Sequence, residues 1–194
     1  MKLYYSPGAC SLAGHITAVE GGLKLDLEKV DLKSHTTETG HDFRAINPKG
    51  YVPALALDDG SLLTENGAIL PYLGDKTGLM PEGIARYRAL EWIGYINSEL
   101  HKAFAPLFGN GSDDAKEKAK SRIVMRLRLV EERLTGDYLF GKDFSPPDAY
   151  LFVILRWCGK MGLDLSGMPR LAAFKARMEQ RPGVKRALEE EGLS

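Results

Sequence analysis

The chain has 194 residues, 44% of them hydrophobic and 27% charged, enough apolar material for one large core or two small ones. Lys plus Arg and Asp plus Glu number 26 each, so no net charge draws the molecule toward nucleic acid or an anionic membrane. Two cysteines exclude a disulfide framework, and no apolar run reaches the ~18 residues of a membrane span, so the expected compartment is the cytoplasm.

The first strand is expected over Lys2-Leu3-Tyr4-Tyr5, which the turn residues Ser6-Pro7-Gly8 end. No apolar leader fits in the nine residues before Cys10. Residues 11–20 then read as a helix with Leu12, Ile16 and Val19 on one face, stopped by Gly21-Gly22. A second strand is expected over 27–32. After a polar segment, 54–57 and 61–64 flank Asp58-Asp59-Gly60 as a hairpin. A helix over 66–75 follows, and Pro71 inside it is expected to remove one hydrogen bond or bend it. The order β-α-β, an irregular stretch, then β-β-α predicts an α/β thioredoxin-like domain over residues 1–77.

The second half reads as wholly helical. Residues 85–107 put Leu90, Ile93, Ile96, Leu100, Phe104 and Leu107 on one stripe, and residues 114–134 repeat the rhythm with Ile123, Leu127, Val130 and Leu134. Ser145-Pro-Pro-Asp148 opens another helix, with Ser145 as cap, Pro146 in the first turn and Asp148 complementing the helix dipole. Met168-Pro169 and Arg181-Pro182-Gly183 punctuate the last helices. The join falls in 76–83, so an all-α domain is expected over residues 85–194.

Four places can carry chemistry. Cys10 follows a turn and precedes a helix, where backbone amides favour thiolate over thiol; a small buried apolar residue is the other reading. Cys158, after Trp157 in an apolar helix, is expected to be inert. No Cys-x-x-Cys is present, so Cys10 needs an external partner. Val52-Pro53 either opens an edge strand or, if cis, offers the Val52 backbone to an extended peptide. Asn66 is a helix N-cap candidate, and the amides there with the Glu65 carboxylate can also hold a ligand bearing both ammonium and carboxylate. Gly94, Asn97, Ser98, His101 and Ala105 form a short-chained polar face that suits either water or a ligand.

These residues together resemble the beta class of bacterial glutathione transferases over essentially the full length. The markers are Met1-Lys-Leu-Tyr-Tyr-Ser-Pro-Gly-Ala-Cys-Ser-Leu-Ala13, Asn47-Pro-Lys-Gly-Tyr-Val-Pro-Ala-Leu55, Leu63-Thr-Glu65 with Ala68-Ile69, Glu99-Leu-His-Lys102 with Pro106-Leu-Phe108, and Asp148-Ala-Tyr-Leu-Phe152. The resemblance implies a homodimer that conjugates glutathione, its co-substrate, to hydrophobic electrophiles without a metal. It implies that Cys10 can form a mixed disulfide with glutathione, and that Val52, beside Pro53, pairs with the cysteinyl backbone. Glu65 and Asn66 would hold the γ-glutamyl group. His101 and Lys102, with Ser98 on the same face, would approach the sulfur, and Ser11 would offer a second hydroxyl. His35 stands where a lysine commonly meets the glycyl carboxylate, Asn66 where serine or glycine is usual, and Gly94 where an asparagine can occur. Two other readings use the same residues: a glutathione-dependent thiol–disulfide oxidoreductase, and a non-catalytic carrier of hydrophobic ligands.

Overall fold

The computed structural model describes residues 1–193. Alternation of inward Leu3 and Tyr5 with Tyr4 on the other face makes both faces of β1 (Lys2–Tyr5) apolar, as a central strand requires. It pairs in parallel with β2 (Asp26–Asp31), Leu3 against Leu27, and antiparallel with β4 (Ala54–Ala56), Leu3 against Leu55. β5 (Leu62–Thr64) and a two-residue β3 (Thr36–Thr37) complete the sheet in the order β3-β2-β1-β4-β5. The Asp58-Asp59-Gly60 hairpin joins β4 to β5 as expected, in the register Leu55 to Leu63. The crossover between β1 and β2 is α1 (Leu12–Glu20). The polar stretch before β4, which gave no periodic signal, holds β3 and the short α2 (Phe43–Ile46), capped by the Asp42 side chain.

α3 (Asn66–Thr77) runs through Pro71 and ends at Gly78 in a left-handed cap, after which the chain crosses to the helical half through 79–82. The expected regular helix over 85–107 is corrected in its middle. α4 (Gly83–Tyr95) passes into a π turn (Ile96–Leu100), a 3-10 turn (His101–Phe104) and the short α5 (Ala105–Phe108). The apolar stripe survives the change: Ile93, Ile96, Leu100 and Phe104 are all buried. π turns inside helices concentrate at functional sites because they re-aim side chains. α6 (Asp113–Arg133), α7 (Pro146–Lys160), α8 (Pro169–Gln180) and α9 (Pro182–Glu190) follow.

α7 is the central helix. Tyr150–Ile154 are fully buried, each such side chain stabilising the fold by ~1.5–3 kcal/mol. Its start is a capping box: Asp148 Oδ2 accepts from the Ser145 backbone N–H (2.8 Å) and hydroxyl (2.7 Å), and Oδ1 from the Leu139 N–H (2.9 Å). The two halves share one core, because Leu12, Ala13 and Ile16 of α1 pack in the cluster built by α7 and α9. Gly74 lets α3 approach α7 closely; a Cβ there would lie 2.8 Å from Pro146 Cγ. Among the described residues, no helix is long and apolar enough to cross a membrane.

Candidate functional site

A cleft of about 880 Å³ opens where the C-terminal end of β1 and the N-terminal end of β4 face the π and 3-10 turns. Its floor is the loop after β1. Gly8 takes φ +69°, a conformation that costs glycine little, and both its backbone groups are tied to the helical half. Its N–H donates to Glu191 Oε2 at 2.9 Å, and its carbonyl accepts from Trp157 Nε1 at 2.8 Å. Glu191 is itself held by His15 Nδ1 at 3.1 Å. The loop that presents Cys10 is therefore clamped from the far end of the chain.

Cys10, Val52, Glu65, His101 and Lys102 all line this cleft. Cys10 corrects an expectation. It lies two residues before α1 begins, and only 8% of it is exposed. Burial pushes its thiol up to about 12, outweighing the backbone amides of Cys10 and Ser11 that pull the other way. The protonated Sγ donates to the Val52 carbonyl at 3.3 Å. The Val52–Pro53 bond is cis, and Pro53 is buried behind Val52 rather than lining the cleft.

Glu65 occupies a strained backbone region, φ 73° and ψ 130°, at the start of α3. Its Oε1 accepts from Lys49 Nζ at 2.6 Å and the Tyr51 hydroxyl at 2.7 Å. These two bonds, Lys49 first, hold the carboxyl below the usual carboxylate range. Asn66 is not the N-cap the sequence implied. Glu65 takes that position, and the buried Asn66 sends Nδ2 to the Cys10 carbonyl at 3.0 Å, stitching α3 to the thiol loop.

Besides Pro53 and Asn66, three predicted site residues stand apart from the cleft. The Ser11 hydroxyl turns back into the loop, within 3.4 Å of the Ser6 carbonyl and accepting from the Ser6 N–H, because α1 buries it. His35 lies outside the cleft, with Nε2 accepting from Arg44 at 3.0 Å and its ring against Gly50. Ser98 is exposed: the π turn carries Asn97 and His101 to the cleft and leaves Ser98 facing water.

The opposite wall is an aromatic and polar assembly. The Tyr150 hydroxyl donates to Asn97 Oδ1 at 3.0 Å and lies 2.6 Å from His101 Nδ1. With its one proton directed at Asn97, that oxygen accepts from Nδ1–H, which fixes the tautomer and leaves Nε2 the unprotonated nitrogen. Burial, reinforced by the charge of Lys102, lowers His101 to about 4. Trp157 meets His101 edge-on at 4.9 Å and Phe108 at 4.9 Å. Tyr150, Lys49 and Tyr51 were not singled out from sequence. For Tyr150 a signal existed, since a tyrosine inside an apolar helix needs a partner for its hydroxyl and Asn97 lies on the helix it faces. Among the described residues, no group of three or more His, Cys, Asp or Glu is placed to hold a metal ion.

Comparison with known proteins agrees with this geometry. The N-terminal domain of glutathione S-transferases matches residues 8–76 and the C-terminal domain matches residues 95–182. The chain is 46% identical to glutathione S-transferase GstA of Escherichia coli O157:H7 over 200 residues, covering all of both proteins. It superposes on a sphingomonad glutathione S-transferase complexed with glutathione, and on the beta-class glutathione S-transferase of Sphingomonas chungbukensis. Each gives a TM-score of 0.95 at 45% identity over the whole of both chains. A thioredoxin-like domain with its thiol loop facing an all-α domain, matched along its full length by such relatives, belongs to the bacterial beta class of the glutathione S-transferases.

Proposed function

We propose that this protein conjugates glutathione to small hydrophobic electrophiles in the cleft between the Cys10 loop and His101, as a transferase of the general glutathione-conjugating type. Residues 1–77 bind glutathione and residues 85–194 supply the electrophile pocket. The observation that carries this reading is the neutral His101, whose Nδ1 proton is committed to Tyr150 while Nε2 is left to accept. The glutathione thiol gives its proton to Nε2. The thiolate then forms a carbon–sulfur bond as the electrophile's leaving group, a halide in an aryl halide, departs, and the imidazolium returns its proton to water.

Glutathione sits with its γ-glutamyl ammonium on Glu65 Oε2, since Lys49 and Tyr51 both donate to Oε1. Val52 serves the cysteinyl backbone and Lys102 the thiolate. The protein acts as a homodimer. Ile84 and Tyr87, three residues apart on one face of α4, are 71% and 67% exposed, and β5 forms the sheet edge.

Disulfide exchange through Cys10 is the second reading, favoured by the presence of that thiol in the cleft. A Cys10 thiolate would attack oxidised glutathione, forming a protein–glutathione disulfide and releasing one glutathione thiolate. The burial that raises Cys10 to about 12 makes this the slower path. His101→Ala tests both, assayed for chlorodinitrobenzene conjugation and for disulfide reduction. Turnover in conjugation falls about a hundredfold, a typical general-base loss, while disulfide exchange persists. A variant that conjugates at the wild-type rate removes His101 from the reaction, and a wild-type protein without conjugation leaves only exchange or ligand carriage.

A further inference from the structure

Among the described residues, the helical wall of the cleft carries cations that no carboxylate answers. The basic and acidic residues of the chain cancel at 26 each, yet this cleft is lined by Lys102, Arg156 and Lys160 against the single carboxylate of Glu65. Glu65 is already paired with Lys49 at 2.6 Å. Among the described residues, Arg156 and Lys160 make no ion pair, and they stand four residues apart on one face of α7. Lys102, next to His101, sits at the sulfur end. Arg156 and Lys160 sit beyond it, on the side of Trp157.

Between the cations lies a rigid apolar wall whose exposed ring is Phe108, backed by Trp157, of which only 6% is exposed. Trp157 is fixed by its bond to the Gly8 carbonyl and by edge contacts with His101, Phe104 and Phe108. Phe108 is half exposed to the cleft. A flat ring wall presents area to a flat ligand at little entropic cost, and a guanidinium beside it selects a planar anion. An electrophile with no charge would make use of the ring wall alone and leave Lys160 in water and Arg156 over the Phe152 ring.

We propose that the electrophile accepted here is an aromatic or similarly planar molecule bearing a carboxylate, its ring on Phe108, which Trp157 backs, and its carboxylate on Arg156 and Lys160. This rests on the transferase reading above and names the substrate class of that same site. The carboxylate is the electrophile's and not that of glutathione, because the cations stand on the aromatic wall and not along the Val52–Glu65 edge.

The test compares a chloronitrobenzoate with its uncharged methyl ester, each kcat/KM divided by the uncatalysed rate constant for the same compound with glutathione. The wild-type enzyme favours the anion by about tenfold or more at low ionic strength, the scale of one charge-assisted hydrogen bond. Added salt erodes the preference, and the Arg156→Gln/Lys160→Gln double variant brings it close to one. Equal normalised values in the wild type overturn the proposal. So does a preference that the double variant keeps, or a variant whose only change is a higher KM for glutathione, which would assign the cations to glutathione. Failure to conjugate even the ester would instead sink the transferase reading, and this proposal with it.

Discussion

Tyr150 spends its hydroxyl on orienting another residue. Burial raises its own ionisation well above the ordinary phenol range, so it stays protonated, donates to Asn97 and accepts from His101. Tyr150→Phe keeps the ring in the core and removes the oxygen. Turnover is expected to fall about tenfold with the KM for glutathione nearly unchanged, because the interaction acts on the base and not on the bound peptide. The pH profile gives a second readout. The folded-state pKa of His101 lies below the ordinary imidazole value of 6.5, at about 4, so the ring is a neutral acceptor above that and is protonated as pH falls through it. The acid limb of kcat/KM for the wild type therefore lies near 4, and a limb at 6.5 would show that His101 is not the group titrating. The same depressed pKa makes folding stability fall as pH drops from 6.5 toward 4, since the unfolded chain binds that proton first. Cys10, Val52, Glu65, His101 and Lys102 were legible as site candidates because their spacing carries a family pattern. The protonation of Cys10 was not, because burial depends on what α3 and the cis Val52–Pro53 segment place over it.

At the scale of elements, α7 depends on its first turn. Asp148 is fully buried, and burial pushes its carboxyl up to about 6 despite hydrogen bonds from Leu139 and Ser145 and the nearby charge of Arg181. Asp148→Ala leaves the Leu139 and Ser145 N–H groups without their acceptor, and thermal or denaturant unfolding should show a loss of about 2 kcal/mol or more. A loss below ~0.5 kcal/mol would mean that the cap contributes no more than an exposed one. Ser145-Pro-Pro-Asp148 announced this helix start, since a cap is a local pattern. The hairpin and α1 were equally local. The π turn at Ile96–Leu100 was hidden because the apolar stripe from Ile93 to Phe104 reads as regular helix, and Asn97 and His101, four residues apart, share a face in a regular helix as well. β3 and α2 were invisible for a different reason, being too short to show a period.

For the molecule as a whole, one core spans both halves, so the cleft is set by packing of α1 on α7 and α9 and not by a hinge. The change from an α/β half to an all-α half was legible from their different rhythms, but this shared core was not, because the pairing of distant helices leaves no trace in local periodicity. The exposed Ile84 and Tyr87 on α4 are the surface from which a dimer is expected. Sedimentation should give a dimer at micromolar concentration, and Tyr87→Asp should shift it toward monomer by placing a charge in an apolar contact. A wild-type monomer would contradict the assembly, while leaving the chemistry of the cleft intact.

Glutathione is proposed to bind along the Val52–Glu65 edge with its sulfur between Cys10 and His101, and a crystal structure of the glutathione complex decides this. The γ-glutamyl ammonium is expected on Glu65 Oε2 and the sulfur within hydrogen-bond reach of His101 Nε2. Glutathione found with its sulfur remote from both Cys10 and His101, or seated instead in the separate cavity between α6 and residues 162–168, would contradict it.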